Sequence, residues 1–306
     1  MKQDKPLVAI KCLVYNHEPY LRDCLEGFVM QQTNFPFVAI VHDDASTDNS
    51  AAIIREYEEK YPDIIQPIYE AENQYSKQDG SLGRIMNAAI DATGAKYVAM
   101  CEGDDYWIDP LKLQKQVDFL QMNPKYSMCF HGARVINELS YHEEYAFTNI
   151  NEKDYTDVEL FTHWIVPTAS IVYKKNIVQN YSITHAEWMI TGDVCLVIRC
   201  ASVGKVKAFS DIMSVYRLHV SSVVHSEQYA HDKIMKLPEH YLSFYYSFPN
   251  LKNELLWLLA QAYYTRFRNG KTNTVKKILD LLMSIYYQPS FVFHKVKKSL
   301  YKIFGI

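Results

Sequence analysis

The fold is decided at residues 97–110, which read YVAMCEGDDYWIDP. The first four residues form an apolar run typical of a buried strand, and acidic residues follow it at once. Asp109 is a good helix N-cap and Pro110 suits the first helical position, so the pattern predicts a helix that begins there. Acidic side chains therefore gather where a buried strand ends, and this is the edge at which open α/β sheets bind ligands.

The carboxylates of Glu102, Asp104 and Asp105 favour a metal or another polar ligand. Carboxylates packed this closely repel one another unless a cation lies among them, and oxygen ligands suit Mg²⁺ or Mn²⁺. The alternative is a solvated acidic turn that only caps the helix. Asp109 alone would satisfy that alternative and leaves the other three carboxylates unexplained, so a ligand site is the favoured interpretation.

Composition limits the class of protein. The 306 residues allow one large α/β domain with an appendage, or two domains. A net charge of −3 gives no argument for bulk nucleic-acid binding, so we predict no nucleic-acid partner. The six cysteines form no Cys-x-x-Cys pair, which argues against zinc or a disulfide framework and favours a reducing cytoplasm. We expect no signal peptide and no transmembrane helix, because the apolar runs are short.

Two βα units precede the acidic stretch. Pro6–Val14 reads as a central parallel strand and ends at Tyr15-Asn16, and Phe37–His42 reads as the next strand and ends at Asp43-Asp44. Neither turn has a G-x-G-x-x-G or a Walker-A lysine, so the fingerprints of Rossmann oxidoreductases and P-loop NTPases are missing. A carboxylate after the second strand can accept hydrogen bonds from a base or from ribose.

Later segments are predicted from the same patterns of apolar residues. Strands are predicted at Ile64–Tyr69, Tyr126–Phe130 and Val166–Tyr173, and two short strands at Lys205–Tyr216. From Glu227 onward the chain is predicted to be helical. We therefore expect one domain over residues 1–224 and a helical region over residues 225–306.

The strand-end motifs resemble those of the family 2 glycosyltransferases. The motifs are Tyr15-Asn16, Asp43-Asp44-Ala-Ser-Thr-Asp and Glu102-Gly-Asp104-Asp105-x-Trp107, each at the end of a predicted strand. The pattern covers about the first two thirds of the chain. The resemblance implies a GT-A fold, which is an α/β fold with a mostly parallel, Rossmann-like sheet flanked by helices, here with a helical C-terminal extension. It also implies an inverting enzyme that uses nucleotide sugars.

The resemblance assigns roles to the residues after the first strands. It implies that Tyr15, Asn16 and Asp44 line the nucleoside pocket, with Asp44 facing the base. Asp104 would face the ribose or the metal, and Asp105 would bind the Mn²⁺ or Mg²⁺ that bridges the diphosphate. Glu102 stands where many family members have aspartate.

The acceptor half contributes the remaining candidates. The resemblance implies that Asp193, before an apolar helix at Val194–Ala201, is the general base, whereas a simple N-cap is the alternative. Trp188 is a candidate to stack on the acceptor sugar, or a core residue. Arg217 and His219 lie in a segment that resembles one where arginine meets the diphosphate and histidine completes the metal shell; a surface histidine is the alternative.

The last predicted helix is basic and amphipathic. Its apolar positions are Phe293, Val296, Leu300 and Phe304, and its other face carries His294, Lys295, Lys297, Lys298 and Lys302. This pattern is typical of a helix that lies on an anionic membrane, although packing of the helix on the domain is an equal alternative.

The predicted function is transfer of a sugar from a nucleoside-diphosphate sugar, with a leaning to UDP, to a hydroxyl of a glycan or lipid-linked acceptor. We expect a hexosyl- or N-acetylhexosaminyltransferase of bacterial polysaccharide biosynthesis, cytoplasmic or peripheral on the inner face of the membrane. One alternative is a receiver-like or phosphohydrolase-like protein that binds Mg²⁺ at Asp43-Asp44. Another is a non-catalytic nucleotide-binding relative.

Overall fold

The computed structural model describes residues 5–140, 143–176, 183–220 and 227–295. Within these residues the chain is mixed α/β with a helical C-terminal region, which confirms the predicted fold class. No helix in the described ranges is both long and apolar enough to cross a membrane.

The chain divides into two compact units. The first consists of Met1–Tyr181 and Leu196–His219, and the second of Ser182–Cys195 and Val220–Ile306. The first unit contains the sheet, and the second contains most of the C-terminal helices.

Ten strands of the described chain form one sheet. They are β1 Val8–Val14, β2 Phe37–Asp43, β3 Ile65–Tyr69, β4 Tyr97–Met100, β5 Tyr106–Trp107, β6 Tyr126–Asn137, β7 Glu143–Ala146, β8 Asp154–Tyr155, β9 Val172–Lys174 and β10 Lys205–Leu218. The main order is β3-β2-β1-β4-β9-β6-β10-β5, with β7 paired to β6 and β8 paired to β10.

The helices alternate with the strands in the first half of the chain and cluster after it. They are α1 Leu21–Val29, α2 Ser50–Lys60, α3 Ser81–Thr93, α4 Lys112–Met122, α5 Asp157–Thr162, α6 Gly192–Val203, α7 Glu227–Ser247, α8 Lys252–Asn269 and α9 Thr274–Tyr287. Short 3₁₀ turns are found at Tyr75–Lys77, Thr168–Ser170, Ala186–Trp188 and Pro249–Leu251.

The first four strands are all parallel, as βα units require. β1 lies between β2 and β4 and pairs in parallel with both, and β2 pairs in parallel with β3. The carboxyl ends of these strands therefore share one edge of the sheet. Beyond β4 the sheet is mixed, because β9 is antiparallel to both β4 and β6, while β6 and β10 are parallel.

The core of the first unit packs α1 and α4 against the sheet. Trp107 is fully buried, meets the ring of Phe28 edge-on at 5.0 Å, and donates its indole N–H to the carbonyl of Ala169 at 2.8 Å. Gly27 allows this approach, since a Cβ there would lie 2.9 Å from the backbone nitrogen of Trp107. The short strand β5 is thereby fixed directly after the acidic loop.

Several predicted boundaries differ from those observed. Helix α4 begins at Lys112, because the Asp109 carboxylate accepts the N–H of Leu111 in a turn that precedes the helix. The predicted strand at Val166–Tyr173 is partly a 3₁₀ turn, with only Val172–Lys174 extended. The two short strands predicted after residue 204 are one strand, β10, with register shifts near Ile212.

The C-terminal helices before residue 288 occur where the sequence predicts them. The predicted apolar positions near Leu255 and Ile278 fall in α8 and α9. The basic amphipathic helix predicted around residues 293–304 lies outside the described residues beyond Lys295.

A buried lysine in α4 leads to a prediction on pH dependence. Lys112 is fully buried, bonds to Gln116 at 2.8 Å and lies 4.1 Å from the centre of the Trp107 ring. Burial lowers the pKa of Lys112 to about 7 from 10.5. Since the unfolded chain holds this proton up to pH 10.5, the free energy of unfolding rises between about pH 7 and pH 10.5, by up to about 1.4 kcal/mol per pH unit.

Replacing Lys112 by methionine should remove this rise, as measured by urea unfolding at pH 7, 8 and 9. The exposed Lys125→Met variant is the control and should keep the slope of the wild type. A wild type and a Lys112→Met variant with equal slopes would show that Lys112 does not carry the pH dependence.

Candidate active site

The loop after β1 is tied to the loop after β2. Asn16 adopts a left-handed backbone conformation, with φ 55°, and its side-chain oxygen accepts the N–H of Thr47 at 2.7 Å. The backbone N–H of Asn16 in turn donates to Ser46 Oγ at 2.9 Å. Asn16 thus joins two strand-end loops through its side chain and its backbone. Tyr15 beside it is 45% exposed, so its ring is available at the surface of the site.

The carboxylate of Asp44 organises the segment after β3. Asp44 is buried, and its two oxygens accept the backbone N–H groups of Gln74 at 2.6 Å and Tyr75 at 3.0 Å. The side chain of Asn73 donates to the carbonyl of Asp44. The turn Tyr75–Lys77 is therefore anchored on the residue that the sequence assigned to the nucleoside pocket.

Asp43, the last residue of β2, is also buried. Its Oδ1 has no hydrogen-bond partner within the described part of the chain. A buried acceptor without a partner is costly, so this atom is suited to a ligand or an ordered water. The sequence places Asp43 at the strand end, but the motif alone did not separate its role from that of Asp44.

Gly103 brings the loop after β4 close to the loop after β1. Its N–H donates to the carbonyl of Leu13 at 2.9 Å. A Cβ at this position would lie 2.8 Å from Nδ1 of His17 and 2.9 Å from Cγ2 of Val14. The glycine between the acidic residues is therefore required by close packing.

Asp104 lies between two histidines. Nε2 of His219 is 3.1 Å from Oδ2 of Asp104, and Nε2 of His17 is 3.8 Å from the same oxygen. Burial raises the pKa of Asp104, but the hydrogen bond to His219 and the two imidazoles together lower it below its usual range. Burial lowers the pKa of His17, and Asp104 opposes that effect in part. The carboxylate of Asp104 is thus held ionised beside two nitrogen donors.

Asp105 is almost completely buried, and only one of its two carboxylate oxygens has a hydrogen-bond partner among the described residues. Its Oδ1 accepts the backbone N–H of Arg217 at 3.0 Å, while its Oδ2 has no partner among the described residues. Burial first, and then the charge of Asp104, raise the pKa of Asp105 well above its usual value. A bound cation would lower the free energy of this carboxylate, because it would supply the missing partner and offset the repulsion from Asp104.

Arg217 is buried beneath the same loop. Its guanidinium donates to the carbonyl of Asp104 at 2.9 Å and forms an ion pair with Asp23 in α1. It also lies over the ring of Tyr106, 4.4 Å from the centroid. Through these contacts Arg217 holds the acidic loop in place. The contact of Arg217 with the diphosphate that the family resemblance implies stays a prediction.

A metal ion would have to be held by the carboxylates after β4 and by His219. In the ranges the structure describes, no group of three or more His, Cys, Asp or Glu side chains is already arranged around a common point. The donors nevertheless fit a hard cation, since Asp105 Oδ2 is unpartnered and buried and Asp104 lies beside it in the sequence. His17 is an additional donor at this edge that the sequence did not assign, and Asp43 was assigned a metal only in the receiver-like alternative. Their positions at the strand ends were the available signal.

Asp193 and Trp188 belong to the second unit. Asp193 lies in the first turn of α6 and accepts the N–H of Val194 at 2.8 Å, so the helix begins earlier than predicted. Trp188 stacks on His185, with the ring centres 3.8 Å apart and an angle of 10°. His240 of α7 accepts the N–H of Ile190 at 3.2 Å, which fixes the segment that leads to Asp193.

Comparison with known proteins places the chain in a family. The family model of Glycosyl transferase family 2 matches residues 12–182, which is more than half of the chain. An uncharacterised protein of Mycobacterium tuberculosis (strain H37Rv) is 36% identical over 222 residues, covering 72% of this chain and 61% of the relative. An uncharacterised glycosyltransferase of Nostoc is 30% identical over 67% of this chain and 62% of its own length. This chain therefore belongs to family 2 of the glycosyltransferases.

Solved structures show the same fold at low sequence identity. Residues 1–349 of TarS of Staphylococcus aureus, in complex with UDP, match with a TM-score of 0.62 and 15% identity, over 93% of this chain and 82% of that one. A mannosyltransferase of Pyrobaculum calidifontis, in complex with GDP-Man and Mn²⁺, matches with a TM-score of 0.53 and 14% identity, over 98% and 88%. The predicted GT-A fold is confirmed. The chain spans about three fifths of the length of the two sequence relatives above.

The anchoring role of Asp44 can be tested by removing its carboxylate. Asp44→Ala leaves the N–H groups of Gln74 and Tyr75 without acceptors, so the free energy of unfolding should fall by about 2 kcal/mol. Hydrogen exchange of the amides at residues 73–77 should become faster. The Asp44→Asn variant keeps one side-chain oxygen and should lose less. Unchanged exchange in Asp44→Ala would mean that the turn is held by other contacts.

Proposed function

We propose that this protein is a metal-assisted inverting glycosyltransferase that takes its sugar from a nucleoside diphosphate, most simply UDP. The observation that carries the proposal is the half-satisfied carboxylate of Asp105, buried at the carboxyl edge of the parallel strands beside Asp104. A cation and a diphosphate are the ligands that this combination of burial, charge and position accommodates.

The strand-end loops provide a pocket for the nucleoside. Strand β2 ends at Asp43 and Asp44 follows it, at the same edge of the sheet where Tyr15 follows β1 with an exposed ring. The unpartnered Oδ1 of Asp43 is available to a donor of the ligand, and the exposed ring of Tyr15 to a base. Asp44 supports the pocket by holding the turn Tyr75–Lys77, and its oxygens retain capacity for a base N–H.

Asp105, Asp104 and His219 are the residues that would hold Mn²⁺ or Mg²⁺. The ion would supply positive charge to the departing nucleoside diphosphate. Arg217 supports these residues from below, through the carbonyl of Asp104 and through the N–H that Asp105 accepts. His17 lies within reach of Asp104 and helps to keep it ionised.

Asp193 acts as the general base in this proposal. The acceptor hydroxyl attacks the anomeric carbon, its proton passes to the Asp193 carboxylate, and the bond from that carbon to the diphosphate oxygen breaks on the opposite face. A single displacement of this kind inverts the anomeric configuration and needs no nucleophile from the enzyme. The assignment of Asp193 rests on its place at the start of α6, which matches the family pattern.

The known structures with this fold support the choice of donor. TarS has been solved with UDP and with UDP-GlcNAc, and the mannosyltransferase with GDP-Man. We therefore propose a hexosyl or N-acetylhexosaminyl donor and a glycan or lipid-linked hydroxyl as acceptor. The receiver-like alternative would use only Asp43 and Asp44, and would leave the buried, unpartnered Oδ2 of Asp105 and the family match without explanation.

We further propose that the protein works in the cytoplasm, in polysaccharide synthesis. All six cysteines are buried thiols and none of them is in a disulfide, which suits a reducing compartment. A peripheral position on the inner face of the membrane would bring the enzyme to lipid-linked acceptors.

Nucleotide binding is the first test of the donor site. At a concentration about 100 times its dissociation constant, UDP with Mn²⁺ should stabilise the protein by ~2.7 kcal/mol, seen as a raised melting temperature. Asp105→Asn keeps an acceptor for the N–H of Arg217 but loses a charge, so the effect of Mn²⁺ should largely disappear. The exposed Asp63→Asn variant is the control. If UDP, GDP, dTDP and CMP all fail to shift the wild type, the donor assignment is wrong.

The general base is tested by Asp193→Asn. Transfer from the donor that binds should fall by 10²- to 10⁴-fold, while the thermal shift with nucleotide stays the same. Asp157→Asn is a matched control, because Asp157 also lies in the first turn of a helix and accepts the N–H of the next residue, at 2.9 Å. Equal activity of the two variants would remove Asp193 from the mechanism.

A further inference from the structure

Helix α9 exposes apolar side chains to the surface. The exposed fractions run from 40% to 75% for Val275, Ile278, Leu279, Leu282, Ile285 and Tyr286. Their spacing of three and four residues places all six on one side of the helix. From Val275 to Tyr286 the stripe is about 16 Å long at 1.5 Å per residue.

Two polar residues of the same helix, Asp280 and Ser284, point inward. Asp280 is 2% exposed and accepts two hydrogen bonds from Arg266 of α8, at 3.0 and 2.8 Å. Ser284 is fully buried and donates to the carbonyl of Ala260 at 2.7 Å. The usual amphipathic pattern is therefore reversed, with a carboxylate and a hydroxyl inside and branched apolar residues outside.

These inner contacts fix the rotation of α9. Arg266 is itself buried, and it also bonds to the Glu239 carboxylate and to the carbonyl of Met235 in α7. Turning the helix to bury the stripe would break the Arg266–Asp280 pair and remove the two hydrogen bonds that the Asp280 carboxylate accepts, which is strongly unfavourable. The apolar stripe is thus held on the surface by the packing of the helical bundle.

The exposed charged residues in and just before α9 are lysines. Lys276 is exposed in the same helix, and Lys271 is exposed just before it. From residue 271 to residue 306 the sequence has seven lysines and a single acidic residue, Asp280, which is buried in its pair with Arg266. An exposed apolar stripe flanked by lysines is complementary to a surface that combines acyl chains with negative headgroups.

We propose that the exposed face of α9 is a docking surface for anionic phospholipid membranes. The branched side chains enter the boundary between headgroups and acyl chains, and the lysines meet the phosphates. Tyr286, the most exposed residue of the stripe, has the amphipathic ring that favours this interface. A second copy of the chain would fit less well, because two such faces would bring like-charged lysines together. The inference does not depend on the proposed glycosyl transfer.

Co-sedimentation of the full chain with vesicles tests the proposal. Binding should be at least tenfold stronger to vesicles of phosphatidylcholine and phosphatidylglycerol than to phosphatidylcholine alone, and should weaken with added salt. The double substitution Leu279→Ser and Leu282→Ser should weaken binding at least tenfold. Lys271→Glu with Lys276→Glu should abolish the preference for the anionic lipid.

Two measurements keep the outcomes distinct. Circular dichroism and the melting temperature should be unchanged in these variants, because the replaced side chains are exposed. Met122→Ser is a matched control at an apolar residue that is 80% exposed in α4, and should bind like the wild type. Equal binding of wild type and the double serine variant would overturn the proposal. The proposal would also be overturned if the wild type failed to bind vesicles and instead formed a dimer, seen by sedimentation, that the serine substitutions dissociate.

Discussion

The candidate site depends on one hydrogen bond, between the buried carboxylate of Asp105 and the backbone N–H of Arg217 at 3.0 Å. It joins the loop after β4 to the end of β10, which are distant in the sequence and meet only in the folded sheet. The guanidinium of Arg217 also donates to the carbonyl of Asp104, so both the backbone and the side chain of Arg217 hold the loop. The same bond satisfies Oδ1 of Asp105 and leaves Oδ2 available to a ligand. One carboxylate therefore both holds the loop and can bind the ligand.

The electrostatics around this bond separate the two neighbouring aspartates. The pKa of Asp104 is lowered, because two imidazoles lie beside its carboxylate. The pKa of Asp105 is raised, because the side chain is buried and lies close to the charge of Asp104. Two adjacent carboxylates in different environments can take different roles. A cation bound between them would reduce the difference, since it would favour the ionised form of both.

Much of the sheet could be predicted from sequence, because local rules control it. The strands β1, β2 and β4 are apolar runs, and a run of this kind is visible in the sequence itself. The length of β10 and the turn at Thr168–Ser170 depend on pairing with β6 and β4, which no local pattern reports. The same limit applies to Arg217, whose contacts with Asp23 and Tyr106 come from remote segments. His17 directly follows the Tyr15-Asn16 motif, but its approach to Asp104 depends on the fold.

The packing at Gly103 has a consequence for how such a site can diverge. The space for a side chain there is already filled by the ring of His17 and the methyl group of Val14. The floor of the site thus tolerates few replacements, whatever sugar is used. New specificity in descendants of this sequence would have to arise at more exposed positions, such as Tyr15, where a change of side chain meets fewer packed neighbours.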